Sequence, residues 1–148
     1  MATALIYSNN FIRKSLRENA HLSSMKLQKM LYFAYRDYYR QNEKPLFSER
    51  FSTWRYGPVI EAVYHEFKGF GTNSITCFYR NIDGVVQVYE DITGEIEAIL
   101  GAVWGKYKNY KGSELSKMTH MPGSAWSKAH ENHQPYLLDE DIKNDICG

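Results

Sequence analysis

The sequence predicts a mainly α, α+β fold: a compact helical domain with a small antiparallel β-hairpin or sheet. Three observations point there. Apolar residues recur at helical spacing from Ser24 towards Arg40 and again from Glu95 to Lys108. Two strand-forming runs, at 75–79 and 85–89, flank Asp83-Gly84, where glycine accepts the positive φ of a tight turn. The chain has 148 residues, 43% apolar and 15% aromatic. At that length roughly 70% of the unfolded surface can be buried, enough for one core but not two. Residues 1–148 are therefore read as a single domain.

Taken in order, residues 3–19 read as a helix. Leu5, Ile6, Asn9, Phe11, Ile12 and Leu16 give an imperfect apolar stripe, and the pair Asn9-Asn10 counts against helical propensity. Ser23-Ser24 can cap a second helix that runs to about Arg40 and stops at Gln41–Pro45. On a helical wheel Leu27, Met30, Leu31, Ala34 and Tyr38 share one third of its circumference, widened by Tyr32, Tyr35 and Tyr39. Lys26, Lys29, Arg36 and Arg40 fall opposite, with Phe33 among them. A helix this apolar belongs in the middle of a domain, and an aromatic inside a basic stripe points to a second contact on that side.

Phe47, Phe51 and Trp54 space an extended segment. Pro58 is expected to open the next helix, because its φ is preset and it has no N–H to lose. Val59, Val63 and Phe67 would face inward, and Gly69-Phe-Gly71 would stop it. In 95–108, Ile96, Leu100, Val103 and Tyr107 share a side. Gly101 and Gly105 opposite them admit two readings: close approach of another backbone, or a wet face that tolerates weak helix formers. Short helices follow at 114–119, at 125–130 behind the capping residue Ser124, and at 139–146.

The chemistry is mostly a matter of exclusion. Lys and Arg number 18 against 17 Asp and Glu, so no global field draws the chain to nucleic acid. No run approaches the roughly 18 apolar residues of a membrane span, and the opening residues lack a signal-peptide pattern. A cytoplasmic protein with Cys77 and Cys147 as reduced thiols is the expectation. His120, His130 and His133 lack metal-ligand spacing, so no metal is expected. No nucleophile elbow or phosphate loop occurs, and no cofactor and no enzymatic activity are expected. What remains is a surplus of Tyr and Trp, residues enriched where proteins bind each other. A binding module is the favoured reading. The alternative, a nucleic-acid-binding or regulatory module, would use Lys26, Lys29, Arg36 and Arg40 with the nearby tyrosines.

Several runs are more specific. They are Lys26-Leu-Gln-Lys-Met-Leu-Tyr-Phe-Ala34, Pro45-Leu-Phe47, Trp54-Arg-Tyr-Gly-Pro-Val59, Glu114-Leu-Ser116, Thr119-His120 and Trp126-Ser-Lys-Ala129. In kind and order they resemble the Panacea-domain antitoxin family, which includes SocA-like and GepA-like phage-associated proteins. The resemblance departs at Ala125, where the family has proline, and at 121–124. It implies an antitoxin that neutralises a cognate toxin by direct contact, in some members as an adaptor to a Clp-type protease. The domain pairs with unrelated toxins, which makes the motif residues look like scaffold. Even so, Lys26, Lys29, Phe33 and Arg36, the turn Trp54, Tyr56, Gly57 and Pro58, and Thr119, His120 and Trp126 are the candidate partner-binding residues.

Overall fold

The computed structural model describes residues 1–91 and 93–148. Seven α-helices surround a two-stranded antiparallel sheet: α1 (Ala4–Glu18), α2 (Ser24–Asn42), β1 (Ser52–Trp54), β2 (Gly57–Val59), α3 (Glu61–Phe67), α4 (Glu95–Tyr107), α5 (Gly112–Thr119), α6 (Ala125–Glu131) and α7 (Asp139–Lys143). A single 3-10 turn, Lys68–Phe70, extends α3. The mainly helical α+β class is as the sequence predicts.

Helix α2 is the axis of the fold. Ser23 caps it, its hydroxyl accepting from Lys26 N at 3.2 Å. Leu27, Met30, Leu31, Tyr32, Phe33 and Ala34 are all fully buried, so the helix is covered on every side. It packs against α1, α3, α4, α5, α7 and β2. The second contact expected on the basic side is made by the chain itself. Phe33 stacks on Tyr107 with ring centroids 4.2 Å apart, and the Arg36 guanidinium lies 4.9 Å above the Phe33 ring. Arg36 donates to the Cys147 carbonyl, and Arg40 to the carbonyls of Lys143 and Asp145. The stripe holds the chain's own residues 143–147, and Tyr32 Oη donates to buried Asp145 at 2.5 Å.

The sheet lies elsewhere than expected. The 75–89 segment forms one antiparallel bridge, Arg80 to Val86, around a turn in which the Asn81 side chain accepts from Asp83 N and Val85 N. Its flanks bond to α1 instead of to each other. Asn9 Nδ2 donates to the carbonyls of Tyr79 and Gln87, each at 2.9 Å, and Asn9 Oδ1 accepts from Tyr79 N at 2.8 Å. Asn10 exchanges the same pair of bonds with Tyr89. A side-chain amide has a donor and an acceptor like a peptide group, so two buried asparagines replace a partner strand. That is why these weak helix formers occupy the middle of α1.

Pro58 lies inside β2 rather than at a helix start, and α3 begins at Glu61. Thr53, opposite Pro58, turns its N–H outward to the Pro135 carbonyl at 2.9 Å. The Thr53–Pro58 pair is therefore a non-hydrogen-bonded one, and proline costs the ladder nothing there. Val63 and Phe67 do face inward. A Cβ built at Gly101 or Gly105 would meet nothing within 4 Å, which decides for the wet face over close backbone approach. The two cysteines are free, Cys77 exposed and Cys147 buried.

Asn9→Leu should destabilise the chain by about 1–3 kcal/mol, since it leaves part-buried backbone groups of Tyr79 and Gln87 without their Asn9 partner. Urea denaturation gives the loss, and amide exchange should accelerate at Tyr79 ahead of the α2 core.

Candidate partner-binding groove

The hairpin from β1 to β2 turns through Arg55 and Tyr56, and its carbonyls accept from side chains around it. Side chains from three helices supply the donors. Trp126 Nε1 donates to Trp54 O at 2.7 Å, Ser116 Oγ to Tyr56 O at 2.5 Å, and Lys29 Nζ to Pro58 O at 3.1 Å. Gln28 clamps Ile60, its Nε2 donating to Ile60 O at 3.0 Å while its Oε1 accepts from Ile60 N at 2.9 Å. The His120 ring bridges Arg55 O, 2.8 Å from Nε2, and Ser116 O, 2.5 Å from Nδ1. Trp126 also packs between the rings of His120 and His130, with centroids 3.9 and 4.7 Å away.

Gly57 closes this assembly. Its φ is +112°, and an added Cβ would fall 2.6 Å from Thr119 Oγ1 and 3.0 Å from Lys29 Cε. Only a glycine lets the strand approach α2 and α5 so closely. Thr119 is held in turn, its hydroxyl donating to Ser116 O at 2.7 Å. Lys29 is 1% exposed and forms no ion pair among the described residues. Burial without a carboxylate disfavours its charged form and brings its pKa from the ordinary 10.5 down to about 7. Burial lowers Lys26 as well, whose ammonium donates to the carbonyls of His21 and Lys108.

Behind this turn opens a groove of about 1200 Å³. It lies between the N-terminal ends of α2 and α5, the 54–59 hairpin, α3 and the 108–113 connection. Of the candidate residues, Lys26, Lys29, Trp54 and Tyr56 line it. Gly57, Pro58 and Thr119 are buried behind its wall, and His120 and Trp126 brace the turn from its other side. Phe33 and Arg36 do not belong to it: at 0% and 4% exposure they lie beneath residues 145–148, and that part of the expected partner surface is interior. The nucleic-acid reading loses its stripe for the same reason. Sequence reasoning did not single out Gln28 and Ser116, although both sit within the quoted motifs. It also missed the groove residues Tyr64, Lys68, Tyr110 and Lys111, which no local pattern joins. Among the described residues no His, Cys, Asp and Glu gather as a metal-binding group, and no helix is long and apolar enough to cross a membrane.

The motif residues thus tie the 54–59 hairpin to α2, α5 and α6 and leave a groove beside it. The family model described as antitoxin SocA-like, Panacea domain, matches residues 27–127, and the chain belongs to that family. It is 27% identical over 127 residues to Antitoxin SocA of Caulobacter vibrioides (strain NA1000 / CB15N). That match covers 80% of this chain and 65% of the relative, so the chain spans just under two thirds of that protein. No solved structure matches.

Gly57→Ala should cost about 2–4 kcal/mol from the positive φ together with the clash on Thr119. Adding Thr119→Ala should recover part of that loss in urea melts, because it removes the clash and leaves the strain. For Lys29 the sign follows from its lowered pKa. Above pH 7 the folded side chain is neutral, while the unfolded one stays protonated to its ordinary 10.5. The unfolded state then binds the extra proton, and stability rises with pH by about 1.4 kcal/mol per unit from this group. Unfolding free energies at pH 7, 8 and 9 should climb in the wild type and climb less in Lys29→Met.

Proposed function

We propose that this chain neutralises a toxin by binding it directly, through the groove beside the 54–59 hairpin, and that it does so without catalysis. The groove wall carries the reading. Tyr56, Tyr64 and Tyr110 line it while 55%, 38% and 39% exposed, and the backbone under Tyr56 is held by a network with its hydrogen bonds already satisfied. Exposed aromatics on a rigid support are what binding hot spots are made of, because little order is lost when they are covered. Membership in an antitoxin family supplies the class of partner. Capture alone and hand-over to a Clp-type protease begin with the same contact, and the fate of the toxin separates them.

The test is co-expression with the protein encoded by the adjacent gene, scoring growth and co-purification together. Growth rescue with a stable complex is the expected result, and rescue with disappearance of the toxin identifies the adaptor route. A toxic neighbour that is neither rescued nor bound refutes the proposal. Tyr56→Ala with Tyr110→Ala should weaken the complex about tenfold or more while leaving the fold intact by circular dichroism.

A further inference from the structure

We infer that the groove takes an acidic segment of the partner, an extended peptide in which carboxylates alternate with apolar residues. This rests on the reading of the groove as the partner-binding face and adds the chemistry that would fill it.

The charge of the groove carries the argument. The whole chain is balanced, 18 basic residues against 17 acidic, yet six Lys or Arg line this groove and no Asp or Glu does. Lys108 is neutralised by Glu18, 2.9 Å away. Lys26, Lys29, Arg55, Lys68 and Lys111 form no ion pair among the described residues. Two of these five, Lys26 and Lys29, are 4% and 1% exposed, and their ammonium groups meet only backbone carbonyls. An ammonium removed from water without a carboxylate is costly to keep charged, and an incoming anion relieves that cost with short, charge-assisted bonds.

Backbone dipoles add to the field. The N-termini of α2 and α5 meet at the groove: a Cβ on Gly112 would lie 3.2 Å from Ser23 Oγ and 3.3 Å from Lys26 N. Both positive helix ends thus face one space. Between the cations stand Trp54, Tyr56, Tyr64 and Tyr110. A nucleic-acid strand wants a line of exposed cations along its phosphates. Here two of the cations are recessed and tethered and aromatic rings share the lining with the rest, which suits carboxylates set among apolar side chains.

The probe is a short fluorescein-labelled peptide alternating Glu with Leu and Phe, read by fluorescence polarisation on the full chain. Its Gln-for-Glu counterpart and a single-stranded DNA of similar length serve as comparisons. The Glu peptide should bind about tenfold or more tighter than the Gln peptide, and tighter than the DNA. Lys68→Glu with Lys111→Glu should abolish that preference, whereas Lys44→Glu with Lys117→Glu, which lie outside the groove, should keep it. Equal binding of the Glu and Gln peptides, preference for DNA, or indifference to the Lys68 and Lys111 reversal overturns the inference. The adjacent-gene product separates this outcome from failure of the antitoxin reading. A wild-type complex that survives the reversal leaves direct capture standing and removes the acidic segment. A Glu-peptide preference in a chain that forms no toxin complex removes capture and leaves the groove chemistry.

Discussion

Buried peptide carbonyls must be given donors, and the hairpin at 54–60 shows what that requirement does to a small domain. Its two strands have three residues each, too short to satisfy one another through the turn and into α3. Four carbonyls, those of Trp54, Arg55, Tyr56 and Pro58, accept from Trp126, His120, Ser116 and Lys29, and Gln28 adds a second donor to Ile60 O, which also accepts from Tyr64 N. A buried carbonyl left unpaired costs about 1–3 kcal/mol, so these contacts, the buried Pro58 one above all, constrain the positions of α2, α5 and α6 relative to the hairpin. The Lys-Leu-Gln-Lys, Trp-Arg-Tyr-Gly-Pro-Val, Thr-His and late Trp runs are therefore parts of one network, and their order along the chain reflects which helix supplies each donor.

The same constraint accounts for an expensive residue. A lysine at 1% exposure would ordinarily be replaced by something apolar, but Lys29 is the side chain that reaches the Pro58 carbonyl beneath Gly57. Its long apolar stem packs in the core while its tip lies at the groove wall. Structure and electrostatics are thus coupled at one atom: the donor that holds the hairpin is also a group whose charged form burial disfavours and a nearby anion would favour.

How much of this was legible in the sequence follows the range of the interactions. The helical class and the centrality of α2 came from spacing within one element, where the 3.6-residue period is informative. A wheel says which residues share a side, not what will cover that side. Lys26, Lys29, Phe33 and Arg36 were read as one partner surface, but their cover lies far along the chain: Lys108 for Lys26, the 57–58 strand for Lys29 and residues 145–148 for Phe33 and Arg36. Pro58 and the Asp83-Gly84 turn show a related limit. Local chemistry named a helix start and a hairpin, and tertiary bonds from Pro135 and from Asn9 and Asn10 decided otherwise. The groove joins residues from five segments, and no window of sequence contains it.

A division of labour inside the groove follows from these contacts. One wall, Gln28, Lys29, Trp54 and Val59, is immobilised by the network and cannot change without loss of the hairpin. Elsewhere the lining has Lys68, Tyr110 and Lys111, whose side chains form no hydrogen bond to the rest of the fold among the described residues. Substitutions there alter shape and charge while the donors that set the fold stay untouched. The contacts that specify the fold and the side chains free of it therefore meet in one cleft, so the frame can stay constant while the lining changes.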